Sequence, residues 1–323
     1  MAKRLFGTDG IRGVAGDYPL DPVTVYATGL ALGRHLAAGD APSVLIGMDT
    51  RESGPEIAEH LAAGLEAGGL HPRFAGVLPT AGVSYLTASD GFAAGVMISA
   101  SHNPFEDNGI KVFAPNGYKL ADGVEHEVEE AIFALLEEQP EPRRRTLVVE
   151  TDLEHRYFDH LLGAGAPVRE LRPMKLLADC SNGAASRLAG RFFEALGMQA
   201  EVFADKPHGR NINLDCGSLH LDRLQQRVRS SDVDFGVAFD GDADRALFVA
   251  DDGEIVDGDV ILLLVGRYLA SVGRLPGSRL VTTVMANMGL EVALEQSGIS
   301  MTRTSVGDKY VLEEMVASGA ELG

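Results

Sequence analysis

The chain has 323 residues, 45% of them hydrophobic, with a formal net charge of -19. That length exceeds one average domain and supports two or three domains with cores of their own. A chain this acidic lacks the basic face that nucleic acids and anionic membranes require, so an anionic ligand would need local compensation by arginine, lysine or a divalent cation.

The N-terminal residues Met1 to Phe6 carry no apolar signal region and run into Gly7-Thr8-Asp9-Gly10-Ile11-Arg12-Gly13. Its three glycines let the backbone approach an anion while Arg12 supplies charge, although the same composition suits a plain tight turn. Asp21 and Pro22 then read as an N-cap and first helical residue, with Val23 to Ala38 forming a surface-packing helix that stops at Gly39.

Three stretches beyond it share one grammar of strand, polar loop, helix, glycine stop and return strand. The strands begin at Ser43, Met174 and Arg279; the helices close at Gly68, Gly197 and Gly298; the return strands run from Leu70, Ala200 and Ile299. Short connections at each end predict right-handed βαβ crossovers. The fold class expected is therefore α/β, built of repeated α/β domains with mixed, largely parallel sheets. In the first two repeats a later apolar strand delivers a polar turn: Gly95 to Ile98 delivers Ser101, and Phe235 to Phe239 delivers Asp240 to Arg245. Ligands bind at the carboxyl ends of strands in such sheets, so the two turns are expected to face one cleft. The third repeat reaches the equivalent point at Ala320 to Gly323.

Between repeats, Glu137 to Arg145 reads as an exposed, solvated connector, its two prolines and glutamates outweighing its three arginines as a phosphate site. A hairpin-type turn at Asp251-Asp252-Gly253 marks a second boundary. The expected domains are 1–152, 153–254 and 255–323. Val260 to Val265, the longest apolar run, is far short of a membrane span. Cys180 and Cys216 are too few for a disulfide framework and are expected as buried thiols in a reducing compartment, so the cytoplasm is the expected location.

Two of these turns carry chemistry. In Ser99-Ala100-Ser101-His102-Asn103-Pro104, proline removes a ladder donor and pushes Asn103 away from helical angles, so the chain turns at Ser101 and His102. A hydroxyl, an imidazole and Lys111 together suit a nucleophile, a proton carrier and a cation. An ordinary turn explains the serine equally well on local chemistry, and Ser99 competes with Ser101. In Asp240-Gly241-Asp242-Ala243-Asp244-Arg245, alternation along an extended segment would point all three carboxylates to one side. Such a cluster is either an acidic solvated turn or a site for a hard cation such as Mg²⁺, and the apolar run Phe235 to Phe239, which would bury its flank, favours the cation. An EF-hand fails, because Arg245 and Asp251 stand where its loop needs glycine and glutamate.

Taken together, Ser101-His102-Asn103-Pro104, the Gly7 to Gly13 motif and the Asp240 to Arg245 loop resemble the signature motifs of the α-D-phosphohexomutase superfamily, and Ser305 to Tyr310 extends the likeness along the chain. The resemblance implies an enzyme that moves a phosphoryl group on a sugar phosphate through phosphorylated Ser101. Mg²⁺ would be held by Asp240, Asp242, Asp244 and a phosphoserine oxygen of Ser101. Arg12, Lys111 and Arg245 would neutralise phosphoryl oxygens, His102 would shuttle a proton or anchor the turn, and Asn103, Asp308 and Lys309 would bind substrate. Two departures from the family pattern are Lys309 in place of arginine and Ala81 in place of proline. By the same resemblance, a sugar-contacting Glu-x-Ser motif and a fourth, phosphate-gripping domain would follow the third repeat, so a truncated enzyme with weak turnover is expected. Glucose or mannose phosphates, a phosphatase reaction and a non-catalytic fragment are the rival readings. The expected partner is a small phosphosugar, with a homodimer allowed and neither nucleic acid nor membrane.

Overall fold

The computed structural model describes residues 5–7, 9–37, 42–166 and 173–323. Met1 to Arg4, Thr8 and the expected helix end at Ala38 and Gly39 lie outside them. The chain divides into two compact units, Met1–Gly253 and Glu254–Gly323.

The first unit contains β1 (Ile11–Val14), α1 (Pro22–Leu36), β2 (Ser43–Met48), α2 (Gly54–Ala67), β3 (His71–Val77), α3 (Thr80–Ser89), β4 (Ala94–Ile98), β5 (Asp107–Phe113) and α4 (Asp122–Glu137). It continues with α5 (Thr151–Ala164), β6 (Lys175–Asp179), α6 (Ala189–Ala195), β7 (Gln199–Phe203), α7 (Asp222–Arg229), β8 (Phe235–Phe239) and β9 (Ala246–Ala250). One sheet has the order β1-β5-β4-β2-β3 and the other runs β9-β8-β6-β7 within this unit. In each, three strands are parallel, β2 with β3 and β4 and β6 with β7 and β8. Antiparallel strands complete the edge, β5 and β1 in the first sheet and β9 in the second. The mixed, largely parallel α/β architecture expected from the repeats holds. Helix α5 spans the 152/153 boundary, and its Leu153 and Tyr157 join Leu45, Val83 and Met97 in one apolar cluster.

Alternation along the central strands builds a core on both faces. Val44, Ile46, Val96 and Ile98 pack with α1, α2 and α4, whereas Leu45 and Met97 face α3 and α5. Asp21 caps α1 as its spacing predicts, its Oδ1 accepting from the N–H groups of Val23 and Thr24 at 3.1 and 3.0 Å. The helix is not a surface one: Thr24 through Gly33 are all buried. It crosses α2 so closely that a Cβ on Gly29 would lie 2.2 Å from the Leu61 carbonyl oxygen. Arginines of the connector make surface ion pairs. Arg144 pairs with Glu56 and Glu59, and Arg145 with Glu66, so the connector runs along α2 while staying exposed to solvent, as expected. Cys180 and Cys216 are free, buried thiols.

The second unit contains β10 (Ile255–Val256), α8 (Gly258–Ser271), β11 (Arg279–Thr283), α9 (Met288–Gln296), β12 (Ser300–Thr304) and α10 (Asp308–Ser318). Strands β11 and β12 pair in parallel, and Leu280, Leu290, Leu294 and Ile299 form the core of this third βαβ unit. Among the described residues, no helix is long and apolar enough to cross a membrane.

Candidate active site

The site lies in the first unit, where the carboxyl ends of both sheets' parallel strands meet. Strand β4 ends at Ile98, and the turn beyond it carries Ser101 with φ at 55°, a left-handed conformation unusual for a residue with a Cβ. Strand β8 ends at Phe239 and delivers Asp240 to Arg245. Ser101 Oγ donates to Asp240 Oδ2 at 2.5 Å, joining the two turns. Both residues are fully buried. The contact depends on Gly241, where a Cβ would stand 2.5 Å from the Ser101 carbonyl oxygen.

The carboxylates converge differently from the way their alternation suggests. The loop is a turn and not an extended segment, with Ala243 at φ 54°. Even so, one oxygen from each of Asp240, Asp242 and Asp244 lies within 4.8 Å of the others. Lys111, in β5 and 1% exposed, places Nζ 2.8 Å from Asp242 Oδ2, 3.0 Å from Asp244 Oδ2 and 3.1 Å from Asp9 Oδ2. Asp9 also takes Lys119 Nζ and Arg12 Nη2, each at 2.5 Å. Thr80, at the start of α3, gives both its backbone N–H and its hydroxyl to Asp242, at 2.9 and 2.6 Å.

These contacts set the charge states. Burial, together with the neighbouring Asp242 and Asp244 carboxylates, pushes Asp240 up to about 7, against the Ser101 hydroxyl and the Arg245 N–H that oppose it. Burial would also raise Asp242, but Lys111 and Thr80 outweigh it and hold that carboxyl below the usual range. Asp9 is held at about 2, because Lys111 and Lys119 override the cost of burial. Burial opposes the charge on Lys111, yet the carboxylates of Asp242, Asp244 and Asp9 raise its pKa. Burial and the nearby Arg245 and Arg12 lower His102, whose Nδ1 is 3.2 Å from Ser101 Oγ.

Two buried polar atoms of this site, Asp242 Oδ1 and Arg12 Nε, have no hydrogen-bond partner among the described residues. A hard cation fits the first, since three carboxylates face one point and one oxygen there has nothing else to bind. An anionic oxygen fits the second.

Ser99 is placed differently from Ser101. It too lies beyond the strand end, but its hydroxyl donates to Asp49 Oδ2 at 2.7 Å and accepts the Ser101 N–H at 2.8 Å. The side chain of Asn103 donates to Asp107 Oδ2 at 2.8 Å within the same turn. Half-exposed Arg245 has Nε 3.9 Å from Asp244 Oδ1. Asp308 and Lys309 open α10 of the second unit. Sequence reasoning passed over Asp49, Arg51, Thr80 and Asn213, whose Nδ2 donates to the carbonyl oxygens of Ser101 and Asn103 at 2.9 and 3.0 Å. A signal existed for one of them: Asp49 and Asp179 close the first strand of successive repeats, and each accepts an N–H from two residues ahead, at 2.9 Å in both cases.

Residues 3–139, 155–253 and 257–323 match alpha/beta/alpha domains I, II and III of phosphoglucomutase/phosphomannomutase. The chain is 55% identical over its whole length to the phosphoglucosamine mutase of Solibacter usitatus, covering 72% of that protein. It is 47% identical to the phosphoglucosamine mutase of Deinococcus radiodurans, covering 71% of it. The crystal structure of a phosphoglucomutase/phosphomannomutase family protein from Burkholderia thailandensis superposes with a TM-score of 0.83 at 27% identity, covering 98% of this chain and 69% of the other. With three consecutive domains matched and such identity over nearly three quarters of its relatives, the chain belongs to the phosphohexomutase family, on its phosphoglucosamine mutase branch.

Proposed function

We propose that this chain interconverts glucosamine 6-phosphate and glucosamine 1-phosphate through phosphorylated Ser101 and a bisphosphorylated sugar, in the cytoplasmic route to UDP-N-acetylglucosamine. The observation that carries this reading is the 2.5 Å contact between Ser101 and Asp240, which places a buried serine hydroxyl against a cluster of three carboxylates. Transfer breaks the bond between phosphorus and Ser101 Oγ and forms one between phosphorus and a sugar hydroxyl oxygen. The hydroxyl proton ends on Ser101 Oγ, and the reverse step restores the phosphoserine. Neutral His102, 3.2 Å from Oγ, is the relay for that proton. Lys111 stays charged, and the unmatched Arg12 Nε is free to bond a non-bridging phosphoryl oxygen. Half-exposed Arg245 supplies further positive charge at the mouth.

Asp240, Asp242, Asp244 and a phosphoserine oxygen would hold Mg²⁺, which when bound supplies positive charge to the phosphoryl group in transit. Substrate contacts are assigned to Asn103, Asp308 and Lys309, and the domains to 1–152, 153–254 and 255–323. A coupled assay starting from glucosamine 6-phosphate with a trace of the bisphosphate tests the reading. Turnover that vanishes in Ser101→Ala supports it; turnover equal in both proteins removes Ser101 from the reaction.

A further inference from the structure

Arg51 heads the fully buried side chains by size, and none of the chemistry above uses it. A guanidinium taken out of water is tolerated only when its donors are satisfied and its charge is paired. Both conditions are met, and almost every bond goes to one place. Nη2 donates to the carbonyl oxygens of Ser101 and Asn103 at 3.0 and 2.9 Å. Nη1 donates to the carbonyl oxygens of Pro104 and, at 3.0 Å, Asp107. Nε donates to Asp49 Oδ2 at 2.9 Å. One planar fork therefore gathers four carbonyls of the turn that carries Ser101.

Asp49 closes the circuit. Its Oδ2 also accepts the Ser99 hydroxyl, whose oxygen accepts the Ser101 N–H. Both backbone polar groups of Ser101 thus lead to one buried ion pair, the carbonyl directly and the N–H through Ser99, while Asn213 Nδ2 shares the carbonyls of Ser101 and Asn103 at 2.9 and 3.0 Å. That pair reaches both backbone groups of a residue that carries a Cβ at φ 55°. A small swing of the turn would carry Oγ away from Asp240.

We infer that Arg51, paired with Asp49, is the positioning residue of the phosphoryl-transfer reaction, holding Ser101 in its left-handed conformation so that Oγ stays on the carboxylate cluster. The inference rests on Ser101 being the phosphoryl carrier. Lysine would keep a charge beside Asp49 but lacks the planar fork, so Arg51→Lys isolates the positioning role.

The experiment compares wild type, Arg51→Lys and Leu135→Ala, the last a stability control in the buried core formed with α4. Each metal-loaded protein takes phosphate from glucosamine 1,6-bisphosphate over a range of concentrations, with Ser101 phosphate followed by intact mass. Hydrogen exchange of residues 99–107 is read in parallel on the unloaded proteins. In Arg51→Lys the saturating rate should fall about 100-fold with an unchanged half-saturating concentration, and exchange over 99–107 should accelerate. Leu135→Ala should lower the melting temperature while leaving all three readouts as in wild type. A wild-type saturating rate in Arg51→Lys, or an equal loss in Leu135→Ala, overturns the inference. Should Arg51→Lys not fold, the pair Asp49→Asn with Arg51→Gln removes both charges together and is judged by the same outcomes. If wild type takes no phosphate on Ser101, the carrier reading falls by itself. The exchange data then decide for Arg51, faster exchange supporting its hold on the turn and unchanged exchange refuting it.

Discussion

Thr80 grips Asp242 twice, through its backbone N–H at 2.9 Å and its hydroxyl at 2.6 Å, although Asp242 follows a strand of the other sheet. The hydroxyl and Lys111 Nζ both occupy Oδ2, which leaves Oδ1 as the buried, unmatched oxygen. Groups behind a metal ligand typically change affinity by about 10- to 100-fold, so Thr80→Val should weaken Mg²⁺ by roughly 10-fold. Calorimetric titration of both proteins checks this, and equal affinities would show that Asp242 needs no such orientation.

Ser101→Ala should abolish phosphate incorporation, without transfer of the modification to Ser99. Ser99 is fully buried, and its hydroxyl is spent on Asp49 and on the Ser101 N–H. Peptide mass mapping of the variant decides the point; phosphate on Ser99 would mean that the turn rearranges more freely than its hydrogen bonds allow.

Metal binding should be pH-dependent. Asp240 titrates at about 7 in the folded protein, well above its ordinary value, so Mg²⁺ must displace a proton below that pH. Affinity should climb as pH rises towards about 7 and level off above it. The stability sign runs with it. The folded state binds this proton more tightly than the unfolded state, so the metal-free protein loses stability as pH rises from the ordinary carboxyl range to about 7. Melting curves with and without Mg²⁺ across that window test both statements, and a flat affinity would place the raised carboxyl elsewhere.

Lys111→Met should be destabilising in the absence of metal. Lys111 is almost wholly buried and is the only lysine bonded to Asp242 and Asp244 among the described residues, so its loss leaves the buried Asp242 carboxylate without its cation, at a cost of roughly 3–5 kcal/mol. Mg²⁺ should recover part of that loss by binding the folded state. Unfolding measured in both conditions is the check, and indifference to Mg²⁺ would separate the lysine from the metal cluster.

Much of this was legible in one dimension because it is local. The βαβ grammar repeats with glycine stops, the apolar runs of β4 and β8 end in polar turns, and Asp21 announces its helix; each depends on neighbouring residues alone. Composition likewise argued against a basic face of the kind nucleic acids require. What required the tertiary structure was everything decided by burial and by distance across the chain. Nothing in Asp49-Thr50-Arg51 says that its arginine is enclosed, because burial is set by the elements that close over it. The turn that gathers Asp240, Asp242 and Asp244 was misread as an extended segment because the left-handed Ala243 has no signature in alanine itself. And the 2.5 Å contact that makes Ser101 and Asp240 one site joins residues 139 positions apart, a relation fixed only when two sheets bring the carboxyl ends of their strands together.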